Sequence, residues 1–356
     1  MSDFSKRPEP FRIEPIFSPR IWGARSLAPL FPEKTNLSEP LGEAWLTGVD
    51  CKIANGLLVG KSLGEAWREM PAEWRGERLA SAADFPLLVK FIFPTDKLSV
   101  QVHPNDAYAA KHEEAAGGRG KTEMWHAVSA EPGAEVLAGL KPGVDKKSFR
   151  EGLESRTLEN LLLHWQVQPG ATFFIPAGTP HTIGPGMVLC EVQQYSDLTY
   201  RVYDYGRVDA HGKPRELHID KALDVIEFGR SAGGYGMTTR VPLPAQGVQK
   251  SLLAACSYFA AEIWEDFSRV EACSSAGQFE LIVVLAGSGD LAWGSNSAKY
   301  QSGACWLIPS NLGRFEVSAT EPTKLLRTYV PDLPALRAVL ESRAHSRQNL
   351  AETIFD

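Results

Sequence analysis

The feature that most constrains the fold is a segment that occurs twice. PGATFFIPAGTPH at 169–181 returns as SGACWLIPSNLGR at 302–314. Gly170 matches Gly303, Ala171 matches Ala304, Pro176 matches Pro309, and four bulky or β-prone residues precede each proline. A glycine turn, a buried strand and a proline-stopped turn that recur in one chain predict two related β-barrel units. The chain, at 356 residues, is too long for one ordinary core, which agrees with two domains. Its 31 glycines and 24 prolines fall between short apolar runs, as turns do in a β protein.

The runs themselves place the elements. FPLLVKFIFPTDKLSVQVH (85–103) reads as two strands around a polar turn at Thr95-Asp96-Lys97. Strands are also expected at 121–128, 135–140, 172–176, 187–194 and 199–204, with two more at 279–293 joined at Gly287–Gly289. NDAYAAKHEEAAGGRG predicts a short helix ended by Gly117-Gly118. Residues 145–163, 219–228 and the tail from Pro334 to Arg347 carry helical patterns. The expected organisation is mainly β with helical insertions. A first domain spans 1–240, with helical excursions at about 105–118 and 143–164. A second β domain spans 248–331, and a helix and tail span 332–356.

Ligand-type side chains cluster on these strands. Gln101 and His103, two residues apart in SVQVHPND, share one strand face. Glu123 in KTEMW and His181 after PAGTP stand on later strand-like segments, and both histidines fall at strand rims. Two imidazoles, a carboxylate and an amide suit a borderline divalent ion, with zinc the first choice. In the repeat His181 falls opposite Arg314, so one metal site is expected and the second unit should lack it. His126, three residues after Glu123, should face the other way and be structural. His112, His164 and His218 sit in helical or connecting segments and receive the same reading.

Composition removes other classes. A net charge of -6 argues against nucleic acid as a partner. No stretch approaches about 20 apolar residues, and MSDFSKRPEPFRIEP has no leader-type apolar core, so no membrane span is expected. The five cysteines are scattered and form no CxxC, which predicts reduced thiols in a cytoplasmic protein.

At these motifs the chain resembles the type I phosphomannose isomerases, zinc-dependent enzymes of the cupin superfamily. The resemblance runs through PRIWGARSLAPLF, LGEAW, FPLLVKFIFPTDKLSVQVHPND, GKTEMW, IPAGTPHTIGPGMVLCEVQQYSDLTYRVYDYGR and ELHIDKALDVIEF, and is nearest to the compact bacterial branch. It implies two cupin-type jelly-roll barrels, the first catalytic and the second without metal ligands. It implies one zinc per chain, held by Gln101, His103, Glu123 and His181. Arg201, in SDLTYR, matches the family's catalytic arginine, and Lys121, two residues before Glu123, its active-site lysine. Asp197 matches an acid/base for ring opening, and Lys90 a recurring lysine. Longer relatives carry a histidine just before the active-site lysine, where this chain has Gly120.

The implied reaction interconverts mannose 6-phosphate and fructose 6-phosphate through a cis-enediol(ate). Such an intermediate requires positive charge near its oxygens and a base to move the proton. Zinc and Arg201 are expected to meet the charge, Lys121 to assist proton transfer or orient substrate, and Lys90, Lys121 or Arg201 to anchor the phosphate. The implied partner is a phosphorylated hexose, and the protein is expected as a monomer or weak homodimer. The competing reading is a metal-binding cupin that senses sugars without turnover.

Overall fold

Two seven-stranded antiparallel sheets packed back to back form the centre of the protein, and a smaller sheet covers the outer face of each. The computed structural model describes residues 7–208, 212–229, 235–343 and 345–356. Residues 1–6, where the expected first domain and the leader reading begin, lie outside the described residues.

In the first half the central sheet runs, in spatial order, 236–237, 172–175, 123–130, 187–194, 87–92, 41–45 and 16–24. A five-stranded sheet faces it, ordered 200–203, 100–102, 181–183, 135–140 and 162–166. In the second half the central sheet runs 11–13, 305–308, 280–286, 324–329, 260–265, 249–255 and 241–243, opposite a four-stranded sheet of 269–273, 314–319, 288–293 and 296–301. The sequence explains the layering. Central strands are covered on both faces and read as mostly apolar runs, such as LLVKFI and ELIVVLA, whose charged members Lys90 and Glu280 stand out. Outer strands alternate, as RFEVSA does, because one face meets water. Val89, Phe91 and Val192 of one central sheet and Leu281, Val283 and Ile263 of the other belong to one continuous core.

The strand orders of the two halves correspond. Thr172–Ile175 and Cys305–Ile308, the strands of the repeat, are second in their sheets, and the order matches from there to the far edge. The place of Gly236–Met237 is taken in the second sheet by Phe11–Ile13, so the N-terminal strand crosses to the far half. One strand, Tyr200–Tyr203, has no counterpart in the four-stranded sheet.

Register corrects the gapless reading of the repeat. Ile175 faces Glu123, and Ile308 faces Glu280. Beyond the proline turns the match slips by one. Phe315 pairs with Trp293 and is buried, while Arg314 is exposed. Six residues, 309–314, precede Phe315, whereas five, 176–180, precede His181. The residue at the interior place of His181 is therefore Phe315 and not Arg314. The alternation that places Ala272 beside Phe315 puts it at the place of Gln101.

Two helical expectations also change. The pattern at 145–163 breaks after Lys146–Glu154, because Arg156 adopts a left-handed conformation (φ 60°); a 3-10 turn at 158–161 and the strand Leu162–Gln166 follow. The tail forms two short helices, Leu333–Glu341 and Arg347–Ala351, rather than one. Among the described residues no helix is long and apolar enough to cross a membrane.

Candidate metal centre

The centre lies between the two sheets of the first half. Arg201, Gln101, His181 and Ala138 form one row across the five-stranded sheet, so their side chains share a face. His103 follows Gln101 by two residues and joins that face. Glu123 enters from the opposite sheet, at the first position of Glu123–Ala130. The donor atoms of His103, Glu123 and His181 lie within 4.8 Å of one another, and all three residues are buried.

Hydrogen bonds fix the imidazoles. Nδ1 of His103 lies 2.7 Å from the Leu198 carbonyl oxygen, and Nδ1 of His181 lies 2.9 Å from that of Thr179. A carbonyl only accepts, so each Nδ1 carries the proton and each Nε2 presents a lone pair. Those Nε2 atoms stand 3.6 and 3.4 Å from the two oxygens of Glu123. Burial, reinforced by the Lys121 charge, pushes the His103 pKa well below its usual value; burial lowers that of His181 to about 4. Both rings are thus neutral and ligand-ready at pH 7.

Glu123 is the decisive residue. It is fully buried; among the described residues Oε1 has no hydrogen-bond donor, and the one close donor to Oε2 is the Lys121 ammonium. The Lys121 ammonium stands 2.6 Å from Oε2, and 3.2 Å from His103 Nε2, without completing the shell. A buried carboxylate with unmet lone pairs is costly unless a cation meets it. Gln101 places its amide 3.2 Å from His181 Nε2, and rotating the amide by half a turn presents its oxygen at the same point. Two nitrogen lone pairs, a carboxylate and an amide oxygen fit a divalent ion.

A cavity of about 420 Å³ opens beside this cluster. Gln101, Lys121, Lys90, Asp197 and Arg201 all line it, so every residue chosen from sequence stands either at the metal cluster or in this wall. Lys90 is buried, 3.4 Å from Asp197, 3.9 Å from Glu191 and over the Trp45 ring. Arg201 does not pair with Asp197; it donates to the Ser99 hydroxyl and the Glu216 carbonyl, both at 3.2 Å. Burial tends to lower the pKa of Lys121, but Glu123 and Glu191 outweigh it and the pKa rises, so this amine stays charged.

The sequence reading missed Glu191, Arg20, Glu43, Arg215 and Ser99, which also line the cavity. Glu191 is buried, accepts from Trp125 Nε1 at 3.1 Å, and burial raises its pKa. Its signal was available, since a carboxylate in MVLCEVQQ is as anomalous as Glu123 in its own run. Ser99 precedes Gln101 by two and shares its face. Arg215 sits in a connection with no periodicity to announce it. The four other histidines weighed in the sequence lie off the centre. His126 pairs with Thr172 at 2.9 Å on the opposite face, and His112 stacks on Tyr108. His164 stands 3.2 Å from Glu135, and His218 accepts the backbone N–H of Arg201 at 3.3 Å. At Gly120 an added Cβ would meet the Asn105–Asp106 backbone at 2.6 Å, so no side chain fits there.

Residues 11–130 match the family model for the catalytic domain of type I phosphomannose isomerase. The mannose-6-phosphate isomerase ManA of Bacillus subtilis is 35% identical over 319 residues, which span 87% of this chain and 96% of that one. The crystal structure of a mannose 6-phosphate isomerase from Bacillus subtilis superposes with a TM-score of 0.82 at 29% identity, covering 90% of this chain and 99% of that one. A zinc-bound mannose 6-phosphate isomerase shares the fold, with a TM-score of 0.70 at 17% identity over 91% of this chain and 100% of that one. With that sequence identity over nearly its whole length, the chain belongs to the type I phosphomannose isomerase family.

Proposed function

We propose that this protein interconverts mannose 6-phosphate and fructose 6-phosphate, with one zinc ion held by Gln101, His103, Glu123 and His181. The carrying observation is the fully buried Glu123, which lies between two Nε2 lone pairs with Oε1 lacking a donor and Lys121 alone on Oε2, beside a cation-lined cavity. When bound, zinc supplies a Lewis acid that polarises substrate oxygens beside the carbon to be deprotonated.

The chain's own residues divide the remaining work. Five cationic side chains against three carboxylates line the cavity, a surplus suited to a phosphorylated sugar. Arg201, in the row of Gln101, stabilises negative charge on the enediolate oxygens. Arg20 and Arg215 hold the phosphate end. Lys121, kept charged by its carboxylate neighbours, orients substrate oxygens and is not the base. Glu191, buried with a raised pKa and lining the cavity, is the group placed to carry the proton between C1 and C2. Asp197, exposed at the mouth and bound to Lys90, assists ring opening. Residues 1–240 form the catalytic domain, 248–331 the second domain, to whose central sheet Phe11–Ile13 and Val241–Leu243 add the edge strands, and 332–356 the tail; the protein is cytoplasmic.

A coupled assay tests this reading. Mannose 6-phosphate should be converted to fructose 6-phosphate, with activity lost to a chelator and restored by zinc. Turnover that persists after complete removal of metal would refute it.

A further inference from the structure

The second half carries no counterpart of the metal-binding histidines, yet it reaches into the first. Its strands Gln249–Ala255 and Ala260–Glu265 form a hairpin whose tip holds Ser257, Tyr258 and Phe259. Phe259 is fully buried and packs near Phe174 of the first half. Beside it, the Tyr258 hydroxyl donates to Oδ2 of Asp106 at 2.7 Å. The other oxygen, Oδ1, accepts the Gly120 backbone N–H at 2.7 Å and the Gln194 amide at 3.0 Å. Gln194 in turn accepts the Thr122 backbone N–H at 2.8 Å. The backbone N–H groups of the two residues that flank Lys121 are therefore tied to one carboxylate, directly and through one amide. Glu123 follows immediately.

We propose that Tyr258 is a positioning residue of the active site. By holding Asp106 it fixes residues 120–122, and so sets where Lys121 and Glu123 stand. The chemistry suits this task. A charged acceptor that binds three donors is stiff, and removing one donor loosens the others. The absent side chain at Gly120 belongs to the same device, because the Asn105–Asp106 backbone occupies its place. The non-catalytic half thereby contributes to catalysis without touching substrate.

The functional part of this inference rests on the isomerase reading; the structural part does not. Tyr258→Phe removes one hydroxyl and keeps the ring in its packing. Backbone hydrogen exchange of the full chain should quicken about tenfold or more at residues 119–123 and stay unchanged in the second half's central sheet. In the zinc-loaded enzyme kcat should fall about fivefold or more, with KM within about twofold, since the ligand and lysine positions serve the reacting end. With Asp106→Asn already present, Tyr258→Phe should add little to either effect. Unchanged local exchange overturns the proposal, and so does faster local exchange with unchanged kcat. If the wild-type protein shows no isomerase activity, the functional reading fails, and the exchange result alone then decides whether Tyr258 holds the segment.

Discussion

The two halves place a buried glutamate at the same position and neutralise it differently. Glu123 and Glu280 each face the repeat isoleucine from the matching strand. In the second half every oxygen finds a donor. Arg327 binds both oxygens of Glu262 at 3.0 Å and both of Glu280, and Tyr329 and Trp264 complete Glu262. In the first half the place of Arg327 is held by Glu191 and that of Glu262 by Lys90, so the charges are exchanged between strands. No fork-shaped donor reaches Glu123, and histidines replace the aromatic and small residues of the other half. One frame thus closes its interior with an arginine that reaches every glutamate oxygen, while the other pairs Lys121 with one oxygen of Glu123 and leaves a shell that the proposed metal ion would complete. A buried charge that is satisfied within the chain marks structure; one left unsatisfied beside lone pairs marks a site.

The largest test of this contrast exchanges equivalent residues. His181→Ala should remove bound metal and lower turnover by at least about a hundredfold, a scale already reached by losing outer ligand partners. Phe315→Ala, at the matching place, should leave turnover within about twofold while lowering stability by about 3–5 kcal/mol. Metal analysis, the isomerase assay and denaturant melts on both variants check this. Next, Arg201→Ala probes the strand that only the first half possesses. It should lower kcat by about a hundredfold, as loss of one transition-state donor does, with metal content and melting temperature unchanged.

Arg327→Leu attacks the closed half. It strands Glu262 and Glu280 without their cation and should cost about 3–5 kcal/mol in unfolding experiments, with no gain of metal. The smallest effect at neutral pH concerns His126, on the back face of its sheet. Burial, helped by nearby Arg240, lowers its pKa to about 3. The unfolded chain then binds a proton between about pH 6.5 and 3 that the folded chain refuses. The stabilisation is complete above about pH 6.5 and is lost by up to about 1.4 kcal/mol per pH unit as pH falls through that window. His126→Gln should flatten the acid limb of the stability profile accordingly, and leave zinc binding intact.

Much of this was legible in the sequence because the signals were local. Alternation put Gln101 and His103 on one face, and anomalous polar residues in apolar runs exposed Glu123. The central strand 187–194 and the outer strand 135–140 appeared within the bounds their apolar runs set. What escaped was set by register across distant strands. The equivalence of Glu280 with Glu123, the one-residue slip that buries Phe315 in place of Arg314, and the crossing of Phe11–Ile13 all depend on which strands pair and in what register, with partners as near as Trp293 and Phe315 and as far apart as Phe11 and Leu307. The three-residue strand His181–Ile183 was too short to show a period, and Leu162–Gln166 was hidden by the helical pattern before it. Arg20 and Arg215 reach the cavity from an irregular edge strand and a connection, where side-chain direction follows no repeat.

The most direct test of the account is metal stoichiometry on one preparation assayed for isomerase activity. Wild-type protein should hold one zinc per chain and turn over mannose 6-phosphate, His181→Ala should hold none and be inactive, and Glu280→Gln should keep its zinc. Full activity in metal-free protein, or loss of the zinc on changing Glu280 while His181→Ala retains it, would contradict the assignment of the site to the first half.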